Sequence, residues 1–326
     1  MNNHKIPLKW CVAEEIYVTP NSRNRYPALF SFDTVRAPCL ADSISSDSFG
    51  WEAFTSPFHG RSIQLKGPSF ESNTNVFAKG VGWTLYPDGL FGWHPSLGNI
   101  GILTQKAALQ ECRIADALTN LGIDTINPIA VLGIQPPIFR SEGNPRQTED
   151  MILDLDQTPA MPSVFLYAAP HPYRLCDLYL MEDTEREYAL GQAYDLMQVP
   201  RQSFIEHFCM KLARSVGKLH SVGGHNYASS THNIFLEGTL VDFEYCHLPE
   251  LPAIESVLQS DTEVWQQKEI LGWLDTLSVL LSLPGLARTI HSRELILLFL
   301  TEYRRHVGDD QSNEFVCFLL DRLNAR

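Results

Sequence analysis

The sequence predicts an α+β protein in two parts, a small β-rich N-terminal part that carries a single glutamate-bearing helix and a mostly helical C-terminal part. Three observations predict it. Short β-prone runs at 62–65, 76–79, 128–134 and 164–169 surround one amphipathic segment, 104–121. From Ile205 onward apolar residues recur at helical spacing. Between these patterns, residues 220–245 read as the end of a helix, a polar loop and two short β-prone runs.

In chain order, residues 1–60 are rich in Ser, Pro, Asn and aromatics with weak periodicity, and read as an irregular N-terminal wrap. Residues 61–170 form the β-rich part. Ser62–Leu65 and Val76–Lys79 are strands separated by a turn region that opens at Gly67-Pro68. After a Gly-, Pro- and Trp-rich loop, Thr104 is the N-cap candidate of a helix to Leu121. Ala108, Cys112, Ala115 and Leu118 share its apolar face, and Gly122 is its stop. Strands at 128–134 and 164–169 follow, the second as hinge strand, with an acidic excursion between them (141–162) that reads as a solvated loop or hairpin rather than a metal site. Residues 171–326 form the helical part, with helices at 205–219, 262–283, 292–306 and 313–324, and Trp265, Trp273 and the Leu-rich faces as core.

Bulk properties narrow the function. The chain has 326 residues, enough for two lobes that each bury a core, with 44% hydrophobic and 19% charged residues, as in an ordinary soluble protein. A net charge of -13 argues against broad nucleic-acid or anionic-membrane partners, which need a basic face. Seven scattered cysteines without C-x-x-C spacing indicate neither a zinc site nor a disulfide framework, so a reduced, cytoplasmic setting is expected. No leader pattern opens the sequence and no apolar run reaches spanning length.

Chemistry concentrates at 220–245. Asn233 opens the first β-prone run and Asp242 closes the second, with Glu237-Gly238 as the turn, so both side chains are expected at the same end of a hairpin. An amide oxygen beside a carboxylate is a hard-oxygen pair suited to Mg²⁺, as are the loop Asn and D-F-G Asp of protein kinases; here the triplet is Asp242-Phe243-Glu244. Taken singly, a turn Asn and a strand-end Asp are more often structural. Upstream, Lys79 ends a strand and Glu111 lies mid-helix, the order in which kinases place a phosphate-binding lysine and its orienting glutamate.

These residues resemble the selenoprotein O family, protein-kinase-like enzymes that transfer AMP from ATP to protein hydroxyls. Lys79-Gly80-Val81-Gly82-Trp83-Thr84 is similar to that family's K-G-x-G-x-T segment, and Gln110-Glu111 with Leu121-Gly122-Ile123-Asp124-Thr125 to its R-E helix and L-G-I-P-T ending. Ala169-Pro170-His171-Pro172-Tyr173-Arg174 is similar to its A-x-S-H-x-R segment. The spacing of Asn233 and Asp242 matches its short ligand spacing. The resemblance covers about residues 60–250 and lies more in order and spacing than in identity.

The resemblance implies a two-lobed kinase-like fold with ATP and Mg²⁺ or Mn²⁺ as cofactors, a hydroxyl acceptor on a protein, and neither nucleic-acid nor membrane partners. Lys79, Gly80 and Arg174 would bind nucleotide, Glu111 would orient Lys79, and Asn233 and Asp242 would hold the metal. Arg174 reads equally as a surface arginine. The chain departs from the pattern at Tyr167, where the family has arginine, at Ala228, the kinase base position, and at His232, where the family has Asp. His232 is then the candidate proton acceptor, with a structural loop histidine as its other reading, and His225 is the expected fold-holding histidine. Two other functions remain open: a kinase-like pseudoenzyme acting as a binding scaffold, and a protein or small-molecule kinase.

Overall fold

In the computed structural model, the residues described are 4–6, 8–39, 49–56, 62–67, 75–81, 103–134, 161–227, 229–251, 261–283, 286, 290–307 and 312–324. Most of the acidic excursion, the loop after Val81 and Ala228 lie outside them. The fold is α+β and divides into two compact units. The first comprises 1–113 and 126–172, the second 114–125 and 173–326.

The first unit is built on one antiparallel sheet. Its strands are β1 (His4–Ile6), β2 (Lys9–Val18), β3 (Arg36–Cys39), β4 (Glu52–Thr55), β5 (Ser62–Lys66), β6 (Asn75–Lys79), β7 (Leu103–Thr104), β8 (Asn127–Ile134) and β9 (Pro162–Ala169). They run in the order β1-β4-β5-β6-β9-β8-β2-β3, with β7 also on β9. The central position of β9 follows from its composition, since all eight of its residues are buried and both faces must be covered. Trp10, Ile63, Val76, Ala78, Ile129, Val164 and Leu166 share one core. Between β2 and β3 lie a short helix, α1 (Ser22–Arg25), and a 3-10 turn, Pro27–Phe30.

The expected irregular wrap at 1–60 is corrected here, because β1 to β4 all belong to this sheet. Strand β2 alone runs ten residues and pairs with β8 from Ala13↔Ile134 to Val18↔Ala130. A register shift between Glu15 and Tyr17 breaks its two-residue alternation, which erases the local strand signal. One of its two partners, β8, is also more than a hundred residues away in sequence.

Helix α2 (Gln105–Asn120) begins in the first unit and ends in the second. The backbone N–H of Ala107 donates to Thr104 Oγ1 at 3.2 Å, so Thr104 is its N-cap. At the other end Gly122 adopts φ 67° and Ile123 N–H reaches Leu118 O at 3.0 Å, closing the helix.

The second unit adds α3 (Asp183–Met197), α4 (Phe204–Ser221), the strand pair β10 (His225–Asn226) and β11 (Cys246–His247), α5 (Thr262–Ser282), α6 (Ser292–Val307) and α7 (Ser312–Asn324). Helices α4 and α6 approach closely at Gly217, where a Cβ would lie 2.8 Å from the Tyr303 carbonyl oxygen. Phe208, Leu212, Val216, Trp273, Phe299 and Tyr303 are all buried there, while Trp265, expected in the core, is only half-buried. Among the described residues no helix is long and apolar enough to cross a membrane.

Candidate functional site

In the first unit, Lys79 ends β6, paired on one side with Ser62 of β5 and on the other with Phe165 of β9. That places it inside the sheet, with its side chain 3% exposed, rather than on a solvated edge. Glu111 lies on α2, 0% exposed, among the buried Ala108, Cys112 and Ala115. The Lys79 ammonium and a Glu111 carboxylate oxygen form a buried, hydrogen-bonded ion pair. Two charges so deep are tolerated only because they are of opposite sign and paired. Gly80 follows with φ 87°, and a Cβ there would lie 2.4 Å from the Ser163 carbonyl oxygen. Its immediate structural duty is therefore close backbone packing against β9. Tyr167 is fully buried and stacks on Phe77, with ring centroids 5.3 Å apart.

In the second unit, residues 233–242 turn back as a narrow hairpin. Val241 N–H bonds Asn233 O at 3.0 Å, Phe235 N–H bonds Thr239 O at 2.9 Å, and Gly238 N–H bonds Phe235 O at 2.9 Å. The backbones of Asn233 and Asp242 are thus brought to the same end, as the spacing predicts. Asp242 takes the left-handed conformation, φ 67°, a strained position for a residue other than glycine. Asn233 is buried and Asp242 half-buried.

Arg174 is 6% exposed, not a surface arginine, and its Nη1 donates to the His232 carbonyl at 2.8 Å. An antiparallel bridge pairs its backbone with Phe235, and Leu175 N–H bonds Ile234 O at 2.9 Å. The residue so placed braces the loop, whatever else it binds. Burial, with Arg174 beside it, lowers the His232 imidazole to about 4, and Asp242 pulls weakly the other way. His232 is accordingly neutral at physiological pH.

The sequence reading missed three carboxylates. A Glu244 oxygen lies within 4.8 Å of an Asp242 oxygen, placing a second acid beside the candidate metal position; the signal was the acid two residues after Asp242, where D-F-G has glycine. Glu237, expected at the tight turn of the hairpin, is 3% exposed. Burial raises its carboxyl above the ordinary value, and Thr239 and Lys211 oppose this without giving either oxygen a well-formed hydrogen bond.

The third carboxylate brings a second histidine, His220, into holding the loop. His220, at the end of α4, meets Tyr303 OH through Nδ1 at 2.8 Å and Glu269 Oε2 through Nε2 at 3.0 Å. Glu269 also accepts from Asn226 N–H at 2.6 Å and Trp273 Nε1–H at 3.2 Å. This buried network ties α4, α5, α6 and β10 together just before the loop. His225 is buried too, but packs its ring between His247 and Trp265.

Comparison with protein-family models and with curated proteins finds no match to this chain.

Proposed function

We propose that this chain is an ATP- and divalent-metal-dependent transferase of protein-kinase-like, two-lobed fold, related to the selenoprotein O family, which moves AMP to a hydroxyl of a protein. The observation that carries the reading is the buried Lys79–Glu111 pair, a sheet lysine held by a helix glutamate. A lysine so fixed presents its ammonium in one orientation, which suits it to bridging phosphate oxygens. In this reading Gly80 keeps its backbone close to the nucleotide.

The donor set at the loop fits a hard cation. Asn233 offers an amide oxygen and Asp242 a carboxylate, and Glu244 adds a second carboxylate within 4.8 Å of the first. When bound, Mg²⁺ or Mn²⁺ would neutralise phosphate charge on the nucleotide. The chain's own contribution is positioning. Arg174 fixes the main chain at His232, and neutral His232 can accept a hydrogen bond from an acceptor hydroxyl. A loose transfer draws most of its acceleration from positioning and charge neutralisation, so the lack of a carboxylate at position 232 does not forbid it.

The test is incubation of the purified protein with ATP radiolabelled at the α-phosphate or, separately, the γ-phosphate, with Mg²⁺ or Mn²⁺. Asp242→Ala is the control. Protein-bound label from the α-phosphate alone, lost in the variant, is expected. Label from the γ-phosphate alone would make it a kinase, and none from either would leave a binding scaffold.

A further inference from the structure

Beside the loop, the second unit exposes an aromatic corner that the transferase reading does not use. Tyr227 and Tyr245 are 51% and 38% exposed, and Tyr227 N–H bonds Tyr245 O at 3.3 Å, extending the β10–β11 pair. Tyr227 stands at 87° to Trp265 with ring centroids 4.7 Å apart, and at 72° to Tyr245 at 6.4 Å. Trp265 is fixed from within by His225, whose ring lies 6.0 Å away at 17°. The corner already holds a cation: Lys268 Nζ sits 4.2 Å from the centroid of the Trp265 ring.

The face of an electron-rich ring attracts a cation, most of all one that sheds its water easily, and the edge-to-face contacts fix the Tyr227 and Trp265 faces at a steep angle beside the Lys268 ammonium. A primary ammonium is strongly hydrated and tethered here by an exposed side chain, which makes it a weak occupant. A quaternary ammonium is larger and poorly hydrated, with no hydrogen bonds to lose. The chain as a whole carries -13, which favours a cationic ligand.

We propose that Tyr227, Tyr245 and Trp265 form a binding site for a small quaternary ammonium compound, which takes the place of the Lys268 ammonium over Trp265. The site does not depend on nucleotide transfer.

The test is an NMR titration of the full chain with tetramethylammonium and with choline, read at the Trp265 indole N–H. The chain has six tryptophans, so that signal is assigned by its disappearance in Trp265→Phe. Dimethylbutanol, the uncharged carbon analogue of choline, and NaCl are the controls. A saturable shift with both cations and none with either control is expected. Lys268→Ala should tighten binding about two- to fivefold, by removing the resident cation, and Tyr227→Ala should weaken it by a similar factor. Tyr227 and Lys268 are exposed, so neither substitution disturbs the core. No saturable shift, an equal response to dimethylbutanol, or an affinity unchanged in both variants would overturn the proposal.

Discussion

Lys79 and Glu111 are 3% and 0% exposed, so neither charge has solvent to fall back on. Replacing Glu111 with Leu removes the carboxylate that pairs with a buried ammonium and should cost about 3–5 kcal/mol of stability in urea denaturation. Adding Lys79→Met removes that buried charge as well, and the double variant should recover most of the loss while remaining unable to transfer label from ATP. A double variant as unstable as the single one would mean that the pair itself, not the cost of burying the lysine charge, sustains the sheet–helix contact. Glu237 makes the opposite case, a buried acid without a matched cation. Its carboxyl titrates near 4.5 when unfolded and higher when folded. The folded state therefore favours the protonated form, and the stability this gives is present below 4.5 and lost as pH rises through the folded value. Glu237→Gln should raise the melting temperature at pH 7.5 and leave it nearly unchanged at pH 4. Equal effects at both values would show that folding does not raise the carboxyl.

At the scale of elements, what the sequence made legible is whatever is encoded locally. Helix α2 was readable because Thr104, the apolar stripe through Leu118 and Gly122 lie within one short window, and cap, face and stop all occur as expected. Strands β5, β6, β8 and β9 were readable as dense apolar or β-branched runs. Strand β2 was not, because its bulge breaks the alternation and one of its two partners, β8, is remote in the chain. Helix α3 escaped for a related reason. Its apolar residues are spread around the helix, with Tyr188 and Leu196 exposed and Arg186 buried against Leu178 O and Met181 O, so no stripe marks it. The candidate site divides the same way. Asn233 and Asp242 were legible from spacing, whereas the His220–Glu269–Tyr303 network joins three helices and leaves no trace in any one window.

At the scale of the molecule, the two units are not two consecutive pieces of chain. The second takes residues 114–125 from within the span of the first. That segment is bonded into the hairpin, with Leu240 N–H to Asp124 O at 3.0 Å and a bridge between Thr125 and Leu240. Lys218 Nζ donates to Gly122 O at 2.6 Å, and Lys211 pairs with Asp124 at 3.0 Å while donating to Glu237 O at 2.7 Å. Buried Leu118 and Ile123 belong to the same segment. A fragment cut at the second boundary alone, 173–326, therefore keeps its helices but loses the Asp124 and Thr125 backbone contacts to the hairpin and apolar side chains from its core. Such a fragment should retain helical far-UV circular dichroism, lose near-UV signal and melt without a sharp transition. Fusing 114–125 to its N-terminus through a flexible linker should restore part of the near-UV signal, since the ends are then constrained at modest entropic cost. A cooperative melt of 173–326 alone would show instead that the hairpin closes without its neighbour, and that residues 233–242 owe their geometry to α4 and the Arg174 bridge alone.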